Sequence, residues 1–562
     1  MNFLVRHLEG SLENANPQWW FPAEQKVITL SELWHRAGAI ASDLYSRYKI
    51  KRHDKIVLIL ENGSDYVSTL LAVWRLGAVA IPIRPYGGKH FWFENYLADL
   101  LLLTDFKLAI YEANNKLLDT SLLSSKLGRP FIPITSIGHI DTPSIAALPN
   151  CATEDYAIIQ FTSGSTGSPK GVIVTHGMMM AQLEQLHENH VYARCGIGVE
   201  RALSWLPFYH DMGMFIGVLL PLYELAHGGA APATYYMRNP GRWFNHLAEW
   251  KADLSFTTNS VLAASVQQLS RLTPDKCDLS ALHLYIAAEK VNARVLRDAR
   301  RVLENLRMPA NQIHIGYGMA EYALGCTHSP SGFPKSLPIH LNDDGSVTIA
   351  KLDQEDTLEL VSVGIPNSRC SITVRDNAGN ALPPDFVGEI IVEGPCVSPG
   401  YISNPKATAA KLADGRLCTG DLGFLHQGEL YFLSRKDDLL VVGGRNIVPS
   451  DVEHLVEELE FVGHGRSVLF GIENAYTSTT YPVLLVESSQ FATESELTSR
   501  EELIRELVAN EVGLFLNQFA FVEKGTIEKT SSGKKRTRVI RERYLKHEIE
   551  RIQVNEKSVE IP

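Results

Sequence analysis

A short loop rich in glycine and hydroxyl side chains, residues 161–171, carries the clearest chemistry in the chain. It reads Phe-Thr-Ser-Gly-Ser-Thr-Gly-Ser-Pro-Lys-Gly and lies between two apolar runs, Tyr156–Phe161 and Gly171–Val174. Glycine lets neighbouring backbone amides point into one concave anion site, and the hydroxyl groups and Lys170 add donors and positive charge. An ordinary hairpin turn needs only one or two such residues. The loop therefore indicates a phosphate cradle, although its spacing differs from the Gly-x-x-x-x-Gly-Lys-Ser/Thr pattern of P-loop proteins.

Five further stretches contain polar side chains that a phosphate-binding enzyme could use. They are Trp205-Leu-Pro-Phe-Tyr-His-Asp-Met-Gly213, Tyr317-Gly-Met-Ala-Glu321, Leu417-Cys-Thr-Gly-Asp421, Ser434-Arg-Lys-Asp-Asp438 and Lys529-Thr-Ser-Ser-Gly-Lys534. Glu321 offers a carboxylate to Mg²⁺ beside a triphosphate, and Asp421 offers two oxygens to the hydroxyls of a ribose. Each stretch alone also has an ordinary explanation, such as an Asx turn, a solvated charge run or a core histidine. Their joint occurrence in this order favours the functional explanation.

The elements that must position these motifs alternate between short β-rich runs and longer helical runs to about residue 330. The first predicted elements are a helix from the capping box Thr29-x-x-Glu32 to about Tyr48, a strand over 55–60, a helix over 65–76 and a strand over 78–83. This alternation is typical of an α/β fold with largely parallel sheets. Shorter strands with turns between 370 and 433 predict a mostly β subdomain.

A polar block, Ser434–Asp438, separates two apolar strands and marks a candidate domain boundary. We therefore predict a large domain over residues 1–435 and a small α+β domain over residues 436–562. Ser450-x-x-Glu453 predicts a capping box at the start of the first helix of the small domain. The tail of this domain is basic, since nine lysines and arginines face two glutamates between Lys524 and Lys546.

Composition narrows the class of protein. The 562 residues are 45% hydrophobic and 21% charged, which is ordinary for a globular protein, and the net charge of −11 argues against nucleic-acid binding. Seven cysteines lie scattered without a Cys-x-x-Cys pair, as expected of reduced thiols in the cytoplasm. The longest apolar run, Met212–Tyr223, falls short of the roughly 20 residues that a membrane span requires. We expect a cytoplasmic protein without a stable membrane span.

The motifs, taken in their order, closely resemble those of the adenylate-forming enzymes over about residues 25–545. This superfamily includes acyl- and aryl-CoA ligases, luciferases, peptide-synthetase adenylation domains and fatty acyl-AMP ligases. The resemblance implies a large N-terminal domain and a small, mobile C-terminal domain that rotates about a hinge at Asp437. It also implies that ATP and Mg²⁺ are used to convert a carboxylic acid into an acyl-adenylate, with release of pyrophosphate.

The resemblance assigns roles to individual residues. Lys534, Glu321 and His210 would be catalytic, with Lys534 bridging the substrate carboxylate and the α-phosphate, and Thr166 and Glu321 would lie near Mg²⁺. The residues implied to bind ATP are Thr162, Ser163, Gly164, Ser165, Thr166, Gly167 and Lys170 at the phosphates, Ala288, Glu289, Tyr317, Gly318 and Met319 around the adenine, and Asp421 and Arg435 at the ribose.

Two features are similar to those of fatty acyl-AMP ligases in particular. One is the Trp205–Gly213 stretch with its His-Asp-Met-Gly end, and the other is the long segment 327–361, which matches in place and length an insertion of that family. The insertion is thought to hinder the domain rearrangement that transfer to CoA requires. The resemblance therefore implies transfer of a fatty or other apolar acyl group to the phosphopantetheine thiol of a separate acyl carrier protein.

Some alternatives remain open from the sequence. An acyl-CoA ligase, a stand-alone amino-acid adenylation domain and a non-catalytic nucleotide-binding module would share most of the motifs. Met212, Met214 and Phe215 either line the acyl pocket or pack in the core. The chain departs from the family pattern at Ala287, where glycine is frequent, and at Glu528, where proline is common.

Overall fold

A computed structural model of the chain provides the fold. It describes residues 3–85, 97–113, 118–139, 148, 150–162, 170–193, 196–237, 239–330, 332–342, 344–352, 354, 357–436, 440–442, 445–473, 480–488, 494–512, 514, 516, 518–529 and 534–552.

The helices lie between the strands along most of the chain. Their bounds are α1 Phe3–Ser11, α2 Leu30–Tyr48, α3 Ser64–Arg75, α4 Thr120–Leu127, α5 His176–Ala193, α6 Asp211–Met214, α7 Leu220–Glu224, α8 Ala233–Met237, α9 Pro240–Trp250, α10 Asn259–Leu269, α11 Ala293–Asn305, α12 Pro405–Lys411, α13 Pro449–Glu457, α14 Glu494–Val512 and α15 Thr537–Leu545. A π-helical turn, Phe215–Leu219, joins α6 to α7.

The strands form several separate sheets. Their bounds are β1 Gln18–Phe21, β2 Lys26–Thr29, β3 Lys55–Ile59, β4 Val79–Pro82, β5 Leu108–Tyr111, β6 Phe131–Pro133, β7 Tyr156–Thr162, β8 Lys170–Thr175, β9 Gly228–Gly229, β10 Leu254–Thr257, β11 His283–Ile286, β12 Ile313–Ile315, β13 Thr327–His328, β14 Ser336–Leu341, β15 Val347–Ile349, β16 Leu358–Val361, β17 Ile365–Pro366, β18 Ser371–Arg375, β19 Gly388–Glu393, β20 Leu412–Ala413, β21 Arg416–His426, β22 Glu429–Arg435, β23 Leu440–Val442, β24 Arg445–Ile447, β25 Ser467–Glu473, β26 Thr480–Ser488, β27 Gln518–Glu523 and β28 Arg551–Ile552.

Two sheets of the first 330 residues are mainly parallel, as predicted. The larger has the strand order β6-β5-β3-β4-β7-β8, in which only the β7–β8 pair is antiparallel. The other consists of β10, β11 and β12, all parallel. The capping box at the start of α2 is confirmed, because Thr29 and Glu32 exchange side-chain and backbone hydrogen bonds. The predicted elements between 55 and 83 agree with β3, α3 and β4 to within a residue at each end.

The β subdomain is confirmed as an antiparallel sheet of β18, β19, β21 and β20, with β22 paired to β21. The segment 327–361 adds a small antiparallel sheet in the order β15-β14-β16. Apolar side chains of this added sheet, among them Ile339 and Leu360, pack on Phe424 and Tyr431 of the larger sheet. The segment is therefore a folded layer on the β subdomain.

Residues after 439 form the mixed sheet β25-β26-β27-β28 with helices α13, α14 and α15. They contribute two hydrophobic clusters drawn only from this part of the chain. The predicted capping box at Ser450 and Glu453 is wrong. The helix is capped by Val448 without a side-chain hydrogen bond, because the Glu453 carboxylate is buried in contact with Lys535.

Two broader expectations concern thiols and membranes. The six cysteines in the described part of the chain are free thiols. None of the described helices is both long and apolar enough to cross a bilayer.

Candidate active site

A large cleft of about 2710 Å³ collects the predicted site residues that the structure describes. They are Thr162, Lys170, His210, Ala288, Glu289, Tyr317, Gly318, Met319, Glu321, Asp421, Arg435 and Lys534, all of which line the cleft. The predicted phosphate-binding residues 163–167 and the predicted hinge residue Asp437 lie outside the described residues. Motifs that are far apart in the sequence therefore face one cavity, as a binding site requires.

The two ends of the phosphate loop are fixed by the β7–β8 hairpin. Thr162 and Lys170 are cross-strand partners, and the Thr162 hydroxyl donates to the Lys170 carbonyl over 3.4 Å. Gln160, two residues earlier on β7, donates from Nε2 to the carbonyl of Tyr209. This bond ties the hairpin to the stretch that contains His210. Sequence alone could not show this link.

Lys170 is a partly desolvated cation at the mouth of the loop. Burial and the nearby charge of Lys411 lower its pKa, and the charge of Glu321 opposes them. Its Nζ lies 5.4 Å from the centre of the Tyr401 ring. Two lysines and an aromatic ring thus form a positive region beside the loop, which suits a bound polyphosphate.

Glu321 is oriented by Tyr401, whose hydroxyl donates to Oε1 over 2.6 Å. Burial and the Glu321 charge raise the pKa of Tyr401, so that its hydroxyl remains a donor. Among the described residues, no cluster of three or more acidic, histidine or cysteine side chains could hold a metal on its own. A single oriented carboxylate nevertheless fits Mg²⁺ carried on nucleotide phosphates, because such ions take one or two protein carboxylates and keep phosphate and water ligands.

The predicted ribose and adenine residues meet at one hydrogen bond. The Tyr317 hydroxyl donates to Oδ2 of Asp421 over 2.7 Å, and Arg435 Nε lies 3.8 Å from Oδ1 of the same carboxylate. Asp421 and Arg435 are cross-strand partners on β21 and β22. Burial raises the pKa of Asp421, against the opposing effects of Arg435 and Tyr317. The Tyr317 ring stacks on Phe432 at 6.1 Å between ring centres.

Close backbone packing explains one glycine of the adenine region and reveals strain at one alanine. A Cβ on Gly318 would lie 1.8 Å from the carbonyl oxygen of Leu324, so this position requires glycine. Ala288 has a φ of +73°, a left-handed conformation that costs a non-glycine residue about 1 kcal/mol or more. The strained residue is thus Ala288 itself, and not Ala287, where the chain departs from the family pattern.

His210 and Asp211 are in contact, with 2.5 Å between Nδ1 and Oδ1. Burial opposes the ionisation of Asp211, but His210 and the Met212 backbone amide outweigh it and lower the pKa of Asp211. A Cβ on Gly213 would lie 2.0 Å from the carbonyl oxygen of Pro207, which explains the glycine that follows. Asp211 therefore fixes the orientation of the His210 ring at the cleft wall.

Lys534 reaches the cleft from the C-terminal part of the chain. It follows residues 530–533 and precedes Lys535, which forms a β-bridge with Lys529. Burial and the charge of Arg435 lower the pKa of Lys534. The charges of Asp211, Glu289 and Asp421 act in the opposite direction. Lys534 is therefore within electrostatic reach of all three predicted regions of the site.

Apolar side chains also line the cleft. Of the three residues for which pocket lining and core packing were both left open, Met212 lines the cleft, whereas Met214 and Phe215 are buried in the core. The apolar lining that sequence analysis missed includes Trp205, Ile216, Leu220, Tyr236, Trp243 and Phe256. Ile216 lies in the π-helical turn, an irregularity that often occurs at functional sites. Tyr401 and Lys411 were missed as well, because they reach the site through sheet packing and carry no local motif.

Comparisons with known proteins agree with this geometry. The profile of the AMP-binding enzyme family matches residues 13–402. A 4-hydroxyphenylalkanoate adenylyltransferase of Mycobacterium tuberculosis (strain H37Rv) is 27% identical, with 95% of this chain and 87% of that protein covered. A long-chain-fatty-acid–AMP ligase, FadD26, of the same strain is 27% identical, with 94% and 93% covered.

Solved structures share the fold. A structure from a study of fatty acyl-adenylate ligases of E. coli and L. pneumophila has a TM-score of 0.85 at 24% identity, with 97% of this chain and 98% of that chain covered. The adenylation and carrier portion of McyG with phenylalanyl-adenylate has a TM-score of 0.85 at 22% identity, with 97% and 83% covered. The predicted α/β fold is confirmed. The chain belongs to the AMP-binding enzyme family and is an adenylate-forming ligase, similar to the fatty acyl-AMP ligases, that activates a carboxylic acid.

Proposed function

We propose that the protein uses ATP to convert a fatty or other apolar carboxylic acid into an acyl-adenylate, releasing pyrophosphate. The phosphopantetheine thiol of an acyl carrier protein then attacks the acyl carbon, which forms the thioester and releases AMP and the thiol proton. One observation carries this proposal. Charged side chains such as Lys170 and Lys534 and the apolar side chains of Met212, Ile216 and Trp243 line the same cleft. An anionic head group and an apolar tail can therefore be bound together.

The first step joins two anions. A carboxylate oxygen attacks the α-phosphorus, the bond from that phosphorus to the bridging oxygen of the β-phosphate breaks, and pyrophosphate leaves with the electron pair. Positioning and charge neutralisation supply most of the catalysis in such transfers. We assign Lys534 to the two reacting anions and Lys170 to the leaving phosphates. Glu321 would hold Mg²⁺, which when bound neutralises phosphate charge.

The remaining polar residues would bind and orient the nucleotide. Asp421 and Arg435 would hold the ribose, with Tyr317 keeping Asp421 in place through its hydrogen bond. The stacked pair of Tyr317 and Phe432 would flank the adenine. His210, oriented by Asp211, would face the substrate carboxylate and act there as a catalytic residue beside Lys534.

The nature of the acid follows from the apolar lining and the relatives. One relative is named for long-chain fatty acids and another for 4-hydroxyphenylalkanoates, both of which are carboxylic acids with an extended apolar body. Aromatic side chains such as Trp205, Tyr236 and Phe256 provide a matching wall. An amino-acid substrate would instead need a carboxylate for its amine. Three carboxylates that line the cleft already have partners: Asp211 contacts His210, Glu321 accepts from Tyr401, and Asp421 accepts from Tyr317.

A carrier protein as acceptor is supported by how the segment 327–361 is held. Arg297 of α11 lies 2.6 Å from Glu359, and Lys335 lies 2.5 Å from Glu429. Val448, next to the start of α13, packs in the same apolar cluster as Ile339. We infer that this layer restrains a C-terminal domain, residues 436–562, that otherwise rotates about Asp437 against residues 1–435. The cytoplasmic location stays a prediction.

The proposal is tested by ATP–pyrophosphate exchange with a panel of carboxylic acids. Saturated fatty acids of several lengths, aryl alkanoates and amino acids are compared, with free CoA and a phosphopantetheinylated carrier protein offered in parallel as acceptors. We expect exchange with apolar acids and acyl transfer to the carrier only. Exchange with amino acids alone would contradict the substrate class, and efficient thioester formation with free CoA would contradict the acceptor.

A further inference from the structure

Helix α13 carries acidic side chains on two opposite faces. Asp451 and Glu458, the residue that caps the C-terminal end of the helix, are seven residues apart and share one face, whereas Glu453 and Glu457 are four apart and share another. At about 100° per residue, the two-residue step from Asp451 to Glu453 turns the helix by about 200°. The helix can therefore hold a cation on each side at the same time.

One face binds the part of the chain that bears the nucleotide motifs. Lys290 Nζ lies 2.7 Å from Asp451 Oδ1, and Arg294 Nη1 lies 2.5 Å from Glu458 Oε2. Lys290 directly follows Glu289, one of the residues predicted at the adenine. The first pair is the more buried of the two, with Lys290 only 13% exposed. This face of α13 is thus docked next to the nucleotide end of the cleft.

The opposite face binds Lys535, the residue after Lys534. Lys535 Nζ lies 2.5 Å from Glu453 Oε2 and 2.7 Å from Glu457 Oε1. The Leu469 amide donates to Glu453, and the Gly465 amide donates to Glu457. Backbone amides therefore hold both carboxylates in place independently of their contacts with Lys535.

The three charged side chains of this cluster are all buried, with exposures of 16%, 10% and 4% for Lys535, Glu453 and Glu457. Burial alone would lower the pKa of Lys535, but the attraction of the Glu453 and Glu457 carboxylates is stronger, so that its pKa is raised. Removing one partner of a buried ion pair leaves the other charge uncompensated, which is strongly unfavourable. Lys535 is consequently held at one place on α13.

The described residues on either side of positions 530–533 are also paired with one another. Lys535 forms a β-bridge with Lys529, and the Arg536 amide donates to the Glu528 carbonyl over 2.8 Å. The Glu528 carboxylate pairs with Arg536 at 3.1 Å. Glu528 occupies a position where the family commonly has proline. In this chain the ion pair of Glu528 with Arg536 restrains the backbone in place of the proline ring.

We propose that Lys535 is a positioning residue for Lys534, and that α13 is the rigid arm that couples docking at Lys290 and Arg294 to the placement of Lys534 in the cleft. This inference rests on the proposed function of Lys534 in adenylation. A displacement of about 1 Å of a catalytic group can slow a reaction by about 10²-fold. Loss of the Lys535 contacts should therefore reduce the rate of adenylation far more than the affinity for ATP.

The test is a double-mutant cycle with Lys535→Met and Lys534→Ala, measured by ATP–pyrophosphate exchange. We expect Lys535→Met to lower kcat by about 10²-fold and to change KM for ATP by less than about threefold. Lys535→Arg should recover a measurable part of the rate, because it restores the cation. In the Lys534→Ala background the Lys535→Met change should cost nothing further, because coupled residues are not additive. Lys524→Met, at an exposed lysine of the same basic tail, is the matched control.

Two outcomes would overturn the inference. One is a wild-type rate for Lys535→Met. The other is an equal loss from Lys535→Met in both backgrounds, which would show a general effect on folding. If Lys535→Met does not fold, Glu457→Gln, which leaves the Glu453 contact, takes its place under the same criteria. A wild-type rate for Lys534→Ala would instead refute the proposed function, so the two failures are distinguishable.

Discussion

The hydroxyl of Tyr317 donates a hydrogen bond to Oδ2 of Asp421 over 2.7 Å. Tyr317 lies in the loop that follows β12, whereas Asp421 lies on β21 in a different sheet from β12. Asp421 also faces Arg435 across the β21–β22 ladder. One buried carboxylate thus connects a residue predicted at the adenine, Tyr317, with a residue predicted at the ribose, Arg435.

Tyr317→Phe tests this connection. Removing a donor from a buried carboxylate costs about 1–3 kcal/mol. Because the carboxylate is predicted to bind the ribose, we expect KM for ATP in pyrophosphate exchange to rise about tenfold while kcat changes much less. Tyr45→Phe, at an exposed tyrosine, provides the control. An unchanged KM for ATP would contradict the prediction that Asp421 binds the nucleotide.

Glu321→Gln tests the predicted Mg²⁺ contact. The amide oxygen can still accept the hydrogen bond from Tyr401, so the side chain should keep its place, but the negative charge is lost. Hard cations prefer charged oxygen ligands. We expect the Mg²⁺ concentration for half-maximal exchange to rise about tenfold at fixed ATP. The same Mg²⁺ dependence in variant and wild type would contradict the assignment.

The pH dependence of exchange reports on Lys534. Burial and Arg435 lower the pKa of Lys534 below its ordinary value of 10.5. The protonated form is the active one, so activity is present below this pKa and is lost as pH rises through it. We expect the alkaline limb of kcat to have its midpoint below 10.5. Lys170, whose pKa is also lowered, could give a similar limb.

Lys534→Arg separates these two lysines. An arginine remains protonated over the whole range, so the limb should move to higher pH in the residual activity of the variant. A limb at the same pH in variant and wild type would assign it to Lys170 or to another group.

His176 should make the fold sensitive to acid. It is fully buried, neither ring nitrogen has a hydrogen-bond partner among the residues that the structure describes, and burial lowers its pKa to about 4. The unfolded chain takes up a proton near pH 6.5 and the folded chain does not, so stability is lost as pH falls between these values. This term amounts to about 2 kcal/mol at pH 5.

His176→Leu is the matching variant. Between pH 7 and pH 5, urea denaturation should show a smaller loss of the free energy of unfolding for the variant than for the wild type. Parallel losses in the two proteins would show that His176 is already protonated in the folded state or is not buried.

Structure that depends only on neighbouring residues was predicted more reliably from the sequence than structure that depends on contacts between distant residues. The capping box of Thr29 and Glu32 needs only neighbouring residues, and it forms. Ser450 and Glu453 have the same spacing but form no capping box. The Glu453 carboxylate instead accepts a hydrogen bond from Lys535, which lies 82 residues further along the chain. Sequence alone could not weigh that buried ion pair against a local cap.

The candidate active site shows the same difference between residues in local motifs and residues brought in by packing. Motif order selected residues such as Lys170, Asp421 and Lys534, and the structure places these three in one cleft. Tyr401 and Lys411 could not be found, because only the packing of strands and helices brings them to the phosphate end. The domain boundary at 435/436 and the roles of individual residues remain predictions.

The most direct test of the central claim is ATP–pyrophosphate exchange by Lys534→Ala with its best acid substrate, together with equilibrium binding of ATP. Loss of one cation at a developing charge typically costs 10²–10³ in rate. We predict a loss of about this size with ATP binding nearly unchanged. Exchange at the wild-type rate would contradict the claim that Lys534 brings the carboxylate and the α-phosphate together.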